Sequence, residues 1–284
     1  MGCCSGAKTA PVVGKRATRV DARSHTPFVG VRTWVLGRAR PGVTAIVGAV
    51  VLAAALSSAT GWHPASAADH MAKVRAVMSG PGPVVVSVLG DSTGNEVGEW
   101  VDLWARSLGA TRQVVLHQWD DTNGGWLPRP RVYGRHGPSV TIWNGSRSGA
   151  QAGYAQARLA QLQPARPDLV LYSFGHNHSP GKVVAPMRAL LSAVDSRWPG
   201  TPASAVILQN PQLGATAAVQ AQVVAELAGW AARAGLPTID VYGAFGAHAD
   251  EEGLFKDYRH PSAAGSAVWA AVVAEAITPA GRRR

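Results

Sequence analysis

Cysteine is almost absent from this 284-residue sequence, and its two cysteines, Cys3 and Cys4, lie together at the start. From residue 5 onward the chain has no thiol for a disulfide, a cysteine nucleophile or a thiolate metal site. Charged residues are also scarce, at 15%, whereas 46% of the residues are hydrophobic. This balance excludes a coiled coil or a largely disordered chain and favours a globular body with a sizeable core.

Acidic residues are the scarcer charged class, with 17 Asp and Glu against 27 Lys and Arg. A net charge of +10 would suggest a partner with negative charge, such as nucleic acid or an anionic membrane. Residues 1–67, however, hold eight of the basic residues and only one Asp. The rest of the chain is nearly balanced, so we expect no nucleic-acid groove and no nucleic-acid partner.

The N-terminal region has the pattern of an export signal. Residues 42–60 carry no charge, basic residues precede them, and small residues with Ala-x-Ala spacing follow at 64–68. This order predicts either a secretory signal cut after Ala67 or a retained membrane anchor. In both cases the body is exported, and only the N-terminal segment contacts the membrane.

These boundaries divide the chain into four parts. We expect a basic N-terminal region over residues 1–67, a linker over 68–82, one folded domain over 83–280 and a basic tail over 281–284. No stretch rich in Pro, Gly and Ser divides the folded domain.

Short β-branched runs alternate with helical patterns along the folded domain. The predicted strands are Val84–Leu89, Gln113–His117, Val140–Trp143, Leu169–Phe174, Ala205–Leu208 and Thr238–Val241. The predicted helices cover 97–108, 152–162, 183–194, 219–234 and 263–277, and the Gly/Pro-rich segment 120–138 is expected to be a loop. Such alternation predicts a three-layer α/β/α fold, doubly wound around a mainly parallel sheet. In that fold, ligands bind where the strands end.

Ser92 lies just after the first predicted strand, in the sequence Gly90-Asp91-Ser92-Thr93-Gly94-Asn95. Three interpretations are open at this point. Ser92 is a nucleophile on a sharp turn, part of a phosphate loop, or the cap of the helix that follows. The phosphate-loop interpretation rests on a resemblance of residues 92–95 to flavodoxin-like FMN proteins, and it would make this protein an electron carrier.

Three further polar segments lie at expected strand ends or before the last helix. They are Asn144-Gly145-Ser146-Arg147-Ser148-Gly149, Gly175-His176-Asn177-His178 and Asp257-Tyr258-Arg259-His260. With Ser92 they supply a hydroxyl, a carboxylate with a histidine three residues later, and several amides. Acyl transfer requires this combination of nucleophile, base, orienting group and oxyanion donors.

In their order and content, the four segments resemble the conserved blocks of the SGNH (GDSL-type) hydrolase superfamily. The resemblance implies that Ser92 is the nucleophile, His260 the base and Asp257 the partner of His260. It also implies an oxyanion hole made of the Ser92 N–H, the Gly149 N–H and the side-chain amide of Asn177. The function implied is a serine esterase that hydrolyses O-acyl esters through an acyl-enzyme, with no metal or organic cofactor. Its substrate would be a small-molecule, lipid or acylated-carbohydrate ester.

Some positions depart from the family pattern or leave a choice. Gly145 is a rival to Gly149 as the oxyanion glycine. Thr93 stands where the family usually has leucine, and His178 where an acidic residue often follows the asparagine. A glycan on the Asn177 sequon would block the expected oxyanion hole, which favours a bacterial exported protein.

Two alternatives to ester hydrolysis remain in addition to the FMN interpretation. The acyl group would pass to a sugar hydroxyl instead of water if the protein were an O-acyltransferase. His176 and His178 would bind zinc if a third ligand lay nearby.

Overall fold

The structure is a computed structural model that describes residues 66–200 and 202–278. The predicted signal or anchor at 42–60 and the predicted tail at 281–284 lie outside the described residues. Among the residues described, no helix is both long and apolar enough to cross a membrane.

An eight-stranded, mainly parallel sheet forms the centre of the described part of the chain. Its strands are β1 (Val84–Gly90), β2 (Gln113–Asp120), β3 (Gly125–Trp126), β4 (Arg131–Tyr133), β5 (Ser139–Asn144), β6 (Leu169–Ser173), β7 (Ala203–Leu208) and β8 (Thr238–Asp240). They are ordered β3-β2-β5-β1-β6-β7-β8, and β4 also pairs with β2. Only the short strands β3 and β4 run antiparallel. The strand order reverses at β1, so the ligand crevice of this fold lies where β1 ends.

Helices cover both faces of the sheet and bury its apolar side chains. They are α1 (Ala67–Ser79), α2 (Trp100–Leu108), α3 (Ala152–Ala157), α4 (Leu159–Leu162), α5 (Val184–Arg197), α6 (Ala217–Arg233), α7 (Val241–Gly246) and α8 (Ala263–Ile277). One core cluster joins α1, α2, α7 and α8 to the sheet, and the other joins α3 to α6 to the opposite face. The predicted three-layer α/β/α fold is therefore confirmed.

The prediction that residues 68–82 form a linker is wrong. They belong largely to α1, whose Val74 and Met78 are buried in the core. Ser66 caps this helix: its Oγ accepts the Asp69 N–H, and the Asp69 carboxylate in turn accepts the Ser66 N–H. The two buried residues lie four positions apart, which places them on one face of a helix. The folded body therefore extends to Ser66.

The segment 120–138 is not a plain loop, because β3 and β4 both lie within it. Each pairs with β2, and Trp126 on β3 lies opposite Trp119 on β2. Strands of two or three residues are too short to show a sequence period, so pattern alone does not reveal them.

Helix boundaries differ from the predictions at two places. α2 begins at Trp100 rather than Val97, since turns with a left-handed glycine, Gly98 at φ +82°, occupy the preceding residues. The predicted helix at 152–162 is broken at Arg158 into α3 and α4. Gly235 ends α6: it has φ +68°, and the N–H groups of residues 235 and 236 bond back to Ala232 and Ala231.

Candidate active site

Ser92, His260 and Asp257 lie in a hydrogen-bonded row at the end of β1. The distance from Ser92 Oγ to His260 Nε2 is 2.9 Å. On the other side of the imidazole ring, His260 Nδ1 lies 2.9 Å from Asp257 Oδ2 and 3.2 Å from Asp257 Oδ1. The sequence separates Ser92 from His260 by 168 positions, and the fold brings them into direct contact.

The loop that carries Asp257 and His260 fixes the carboxylate by its own backbone. Asp257 Oδ1 accepts the N–H groups of Arg259 at 2.8 Å and His260 at 2.7 Å. Although desolvation acts to raise it, these bonds and the His260 side chain lower the pKa of Asp257 to about 2. The carboxylate is therefore ionised at neutral pH, and Oδ2 faces the imidazole.

The helix-cap interpretation of Ser92 is wrong, because the N-cap residue of α2 is Glu99. The hydroxyls of the Ser92 segment also have partners within the protein. Ser92 Oγ contacts His260, and Thr93 Oγ1 donates to Asp91 at 2.9 Å. Both hydroxyls are thus engaged by residues of the protein.

Gly149, and not Gly145, has an N–H available to a ligand. The Gly145 N–H donates to the carbonyl of Val88 at 2.9 Å, so it continues the pairing of β5 with β1. The N–H of Gly149 has no hydrogen-bond partner among the described residues, and neither has that of Ser92. Gly149 adopts φ +68°, a left-handed conformation that favours glycine.

Asn177 lies between the Gly149 turn and the Asp257 loop. Its side-chain nitrogen Nδ2 donates to the carbonyl of Ala150 at 3.1 Å and lies 3.5 Å from Asp91 Oδ2. Its side-chain oxygen Oδ1 accepts a hydrogen bond from Arg259 Nη1 at 3.0 Å. The amide therefore has its donor end on the side of the Ser92 turn and its acceptor end toward Arg259.

Comparison with known families identifies the chain. The model of the GDSL-like lipase/acylhydrolase family matches residues 88–268. The chain belongs to this family. The match spans most of the folded body and contains the blocks at Ser92, Gly149, Asn177 and His260. Membership makes the protein an ester-hydrolysing enzyme, and the resemblance read from the sequence is confirmed.

Solved structures are similar to this GDSL-like hydrolase at low sequence identity. A two-domain esterase active on acetylated mannans, co-crystallised with mannopentaose, aligns with a TM-score of 0.52 and 18% identity, over 75% of this chain and 53% of that one. A lipolytic protein of the G-D-S-L family from Veillonella parvula gives 0.49 and 16%, over 67% and 96%. A lipase/acylhydrolase from Enterococcus faecalis gives 0.49 and 18%, over 68% and 93%. A comparison with curated proteins found no match.

Buried polar side chains pack next to the Ser92 turn of the hydrolase and bond to it. Asp91 is 1% exposed, and its Oδ2 accepts Gln209 Nε2 at 3.0 Å. Gln209 is fully buried, and its Oε1 accepts the His176 N–H at 2.8 Å. Gln209 therefore joins the end of β7 to the loops after β1 and β6. Gln209 belongs to none of the four sequence blocks, although its place directly after a predicted strand was a usable signal.

Asp121 was also missed, although it directly follows β2. Its Oδ2 accepts the Ser148 N–H at 2.8 Å and Asn95 Nδ2 at 3.2 Å. Since Ser148 precedes Gly149, this carboxylate holds the turn that presents the Gly149 N–H.

His176 and His178 make hydrogen bonds within the fold. His176 Nε2 lies 2.8 Å from the carbonyl of Asn210, and His178 Nε2 lies 3.4 Å from the N–H of Ala152. Burial lowers the pKa of both histidines, which favours their neutral forms. Within residues 66–200 and 202–278, no group of three His, Cys, Asp or Glu side chains is arranged to hold a metal ion. His178 thus occupies the acidic position of the family pattern as a buried hydrogen-bonding residue.

Glu99 joins the Ser92 segment to the loop of the predicted base. Its Oε2 accepts the Glu96 N–H at 2.9 Å, and its Oε1 lies 3.7 Å from Lys256 Nζ. Burial raises the pKa of Glu99 to about 7, although the Glu96 N–H and the Lys256 ammonium act to lower it. The backbone N–H of Lys256 also donates to the carbonyl of His260 at 2.9 Å. Glu99 therefore changes its protonation state near neutral pH, and the charge of its contact with Lys256 changes with it.

Proposed function

We propose that the protein is a serine esterase that hydrolyses O-acyl esters through an acyl-enzyme formed on Ser92. The observation that carries this proposal is the row of contacts from Ser92 Oγ through His260 to Asp257, at 2.9 Å on each side of the imidazole. A hydroxyl next to a base, with the base oriented by a third group, is the arrangement of an activated nucleophile.

The proposed first step is attack of Ser92 Oγ on the ester carbonyl carbon. His260 Nε2 takes the hydroxyl proton as the new C–O bond forms, and it then donates that proton to the leaving alcohol as the ester C–O bond breaks. Asp257 accepts the Nδ1–H bond, which keeps the proton on Nδ1 and stabilises the imidazolium. Water, activated by the same histidine, then releases the acid and restores Ser92.

The negative oxygen that forms in each step requires hydrogen-bond donors. We propose the N–H groups of Ser92 and Gly149 and the Nδ2 of Asn177 for this role. The support is that both N–H groups lack partners within the described residues and that Asn177 turns its nitrogen toward the Ser92 turn. Each such donor is worth about 10²–10³ in rate.

A panel of p-nitrophenyl esters of increasing acyl length tests the proposal and defines the acyl group. Wild-type protein should turn over at least one member, and Ser92→Ala should reduce kcat to background with an unchanged fold. Glu96→Ala provides a control, because Glu96 is exposed and lies four positions from Ser92. Turnover by Ser92→Ala equal to that of the wild type would refute the proposal.

A second assay addresses the alcohol and the acceptor. Acetylated oligosaccharides, including an acetylated mannan, test an acylated carbohydrate as substrate, and a monoacylglycerol tests a lipid ester. Addition of an unacylated sugar distinguishes release of free acid from transfer to a hydroxyl. Hydrolysis predicts free acid as the main product at every sugar concentration.

A further inference from the structure

Arg259 stands in the loop of the proposed base, and its guanidinium contacts a segment distant in sequence. Nη1 of Arg259 donates to Oδ1 of Asn177 at 3.0 Å, across 82 positions of sequence. The family resemblance assigns no role to Arg259. The contact therefore needs its own explanation.

The backbone of Arg259 is fixed on both sides. Its N–H donates to Asp257 Oδ1 at 2.8 Å, and its carbonyl accepts Asn210 Nδ2 at 2.9 Å. Its side chain stacks over the ring of Tyr258, with 5.3 Å between the guanidinium carbon and the ring centroid. Both ends of the residue are thus held, so the guanidinium is placed against Asn177 at little further entropic cost.

The chemistry of the contact fixes which end of the Asn177 amide faces Ser92. A guanidinium has only donors, so its neighbour must be the amide oxygen. The carbonyl of Ala150 has only lone pairs, so its neighbour at 3.1 Å must be the amide nitrogen. A flipped amide would place two donors together at Arg259 and two acceptors together at Ala150.

The positive charge does more than select an orientation. A charged donor on Oδ1 draws electron density from the amide and makes its N–H groups stronger donors, as in other hydrogen-bond chains. The second Nδ2 hydrogen is only loosely held, since the nearest acceptor, Asp91 Oδ2, lies 3.5 Å away. This hydrogen is the one available to a new negative oxygen.

We infer that Arg259 is a positioning residue that holds and polarises the Asn177 amide, so that Nδ2 is presented as a strong donor to the oxyanion. This inference rests on the proposed function. It adds a residue that acts through Asn177 without touching the substrate.

The test is a double-mutant cycle of Arg259→Met and Asn177→Ala on the full chain, with a p-nitrophenyl ester. Arg259→Met should lower kcat about tenfold or more and change KM by less than about threefold, because only transition-state stabilisation is lost. In the Asn177→Ala background, Arg259→Met should have no further effect beyond about threefold. Arg259→Lys, which keeps a charged donor, should recover part of the loss.

A boronic acid provides a readout that a merely structural role would not change. Its tetrahedral adduct on Ser92 places an oxygen at the oxyanion position, so its affinity should fall in Arg259→Met by the same factor as kcat. Arg197→Met is the matched control, because Arg197 likewise stacks on an aromatic residue adjacent in sequence, Trp198, at 5.2 Å. It should change neither kcat nor boronic acid affinity.

The outcomes separate this inference from the proposed function. If Asn177→Ala costs about 10²–10³ while Arg259→Met retains full kcat, the inference fails and the esterase mechanism stands. A rise in KM with unchanged kcat would overturn it, since Arg259 would then bind the substrate. Equal losses from Arg259→Met in both backgrounds would also overturn it. If Arg259→Met does not fold, Arg259→Lys is measured in the same two backgrounds. Its loss of kcat should then be present with Asn177 and absent in Asn177→Ala, and equal losses in both backgrounds would overturn the inference.

Discussion

Replacement of Asp257 by asparagine exchanges one oxygen for an NH₂ group, and the local geometry determines where that group must go. In the native loop, Oδ1 accepts two backbone N–H groups, from Arg259 and His260. An asparagine keeps both bonds only if its carbonyl oxygen takes the Oδ1 position. Its nitrogen then takes the Oδ2 position, 2.9 Å from His260 Nδ1, and donates to it.

This donation reverses the tautomer of His260. A ring nitrogen that accepts a hydrogen bond carries no proton, so the proton moves to Nε2. Nε2 then cannot accept the proton of Ser92 Oγ, and it donates instead. We expect kcat to fall about 10⁴-fold, which corresponds to about 5.4 kcal/mol at about 1.36 kcal/mol for each factor of ten.

The assay is steady-state turnover of the best p-nitrophenyl ester at neutral pH, where Asp257 is ionised because its pKa is about 2. KM should change little, since the substitution affects proton transfer and not binding. Asp250→Asn is the control, because Asp250 also accepts an N–H three residues later, from Gly253 at 3.2 Å, and has no contact with His260. An Asp257→Asn enzyme that keeps more than a tenth of wild-type kcat would refute the tautomer argument.

Three further predictions concern the oxyanion hole, Glu99 and the N-terminus. Asn177→Ala should cost about 10²–10³ in kcat, less than Asp257→Asn, because it removes one donor of three, and an inert variant in the same ester assay would contradict this. Burial raises the pKa of Glu99 from 4.5 to about 7, so the folded protein favours the protonated carboxyl. The contribution of this group to the free energy of unfolding is complete below about pH 4.5 and decreases as pH rises to about 7. Urea unfolding should therefore show wild type losing up to about 3 kcal/mol relative to Glu99→Gln between pH 4.5 and 8, and a pH-independent difference would contradict this. If residues 1–67 are an export signal, as we propose, N-terminal sequencing of the exported protein should begin at Ala68, and an intact N-terminus would favour the anchor. That cut removes the Ser66 cap of α1 at a cost of about 1 kcal/mol, measurable by comparison with a chain that starts at Ser66.

The candidate site was predictable from sequence where its residues lie in short, ordered blocks at strand ends. Ser92 and Asn177 follow β1 and β6, and Asp257 and His260 lie three positions apart in one loop. The parallel sheet brings the ends of β1 and β6 together, in agreement with the rule that ligands bind there, and the family resemblance added the loop of Asp257 and His260.

Residues that act through contacts distant in sequence were not predictable in this way. Gln209 meets Asp91 across 118 positions and Arg259 meets Asn177 across 82, and no local pattern encodes either pair. The choice of Gly149 over Gly145 came from the family resemblance, and the structure supports it because the pairing of Gly145 with Val88 shows that the Gly145 N–H is occupied.

The helix at 67–79 was missed for a different reason. Only Val74 and Met78 of α1 are buried, so its apolar face is narrow, and its start overlaps the small residues of the predicted cleavage site. A signal-like pattern and a helix cap use the same residue types here, and the contact of α1 with the core distinguishes them.

The most direct test of the account is covalent labelling of Ser92. The full chain is treated with a fluorophosphonate probe, digested and sequenced by mass spectrometry, alongside Ser92→Ala and Ser146→Ala. Ser146 is a serine of the second block whose hydroxyl is buried, so its variant should label like the wild type. If Ser92 is the nucleophile, we expect one adduct, on Ser92, with esterase activity lost in proportion to labelling and no labelling of Ser92→Ala. Labelling at another residue with activity retained, or undiminished labelling of Ser92→Ala, would contradict it.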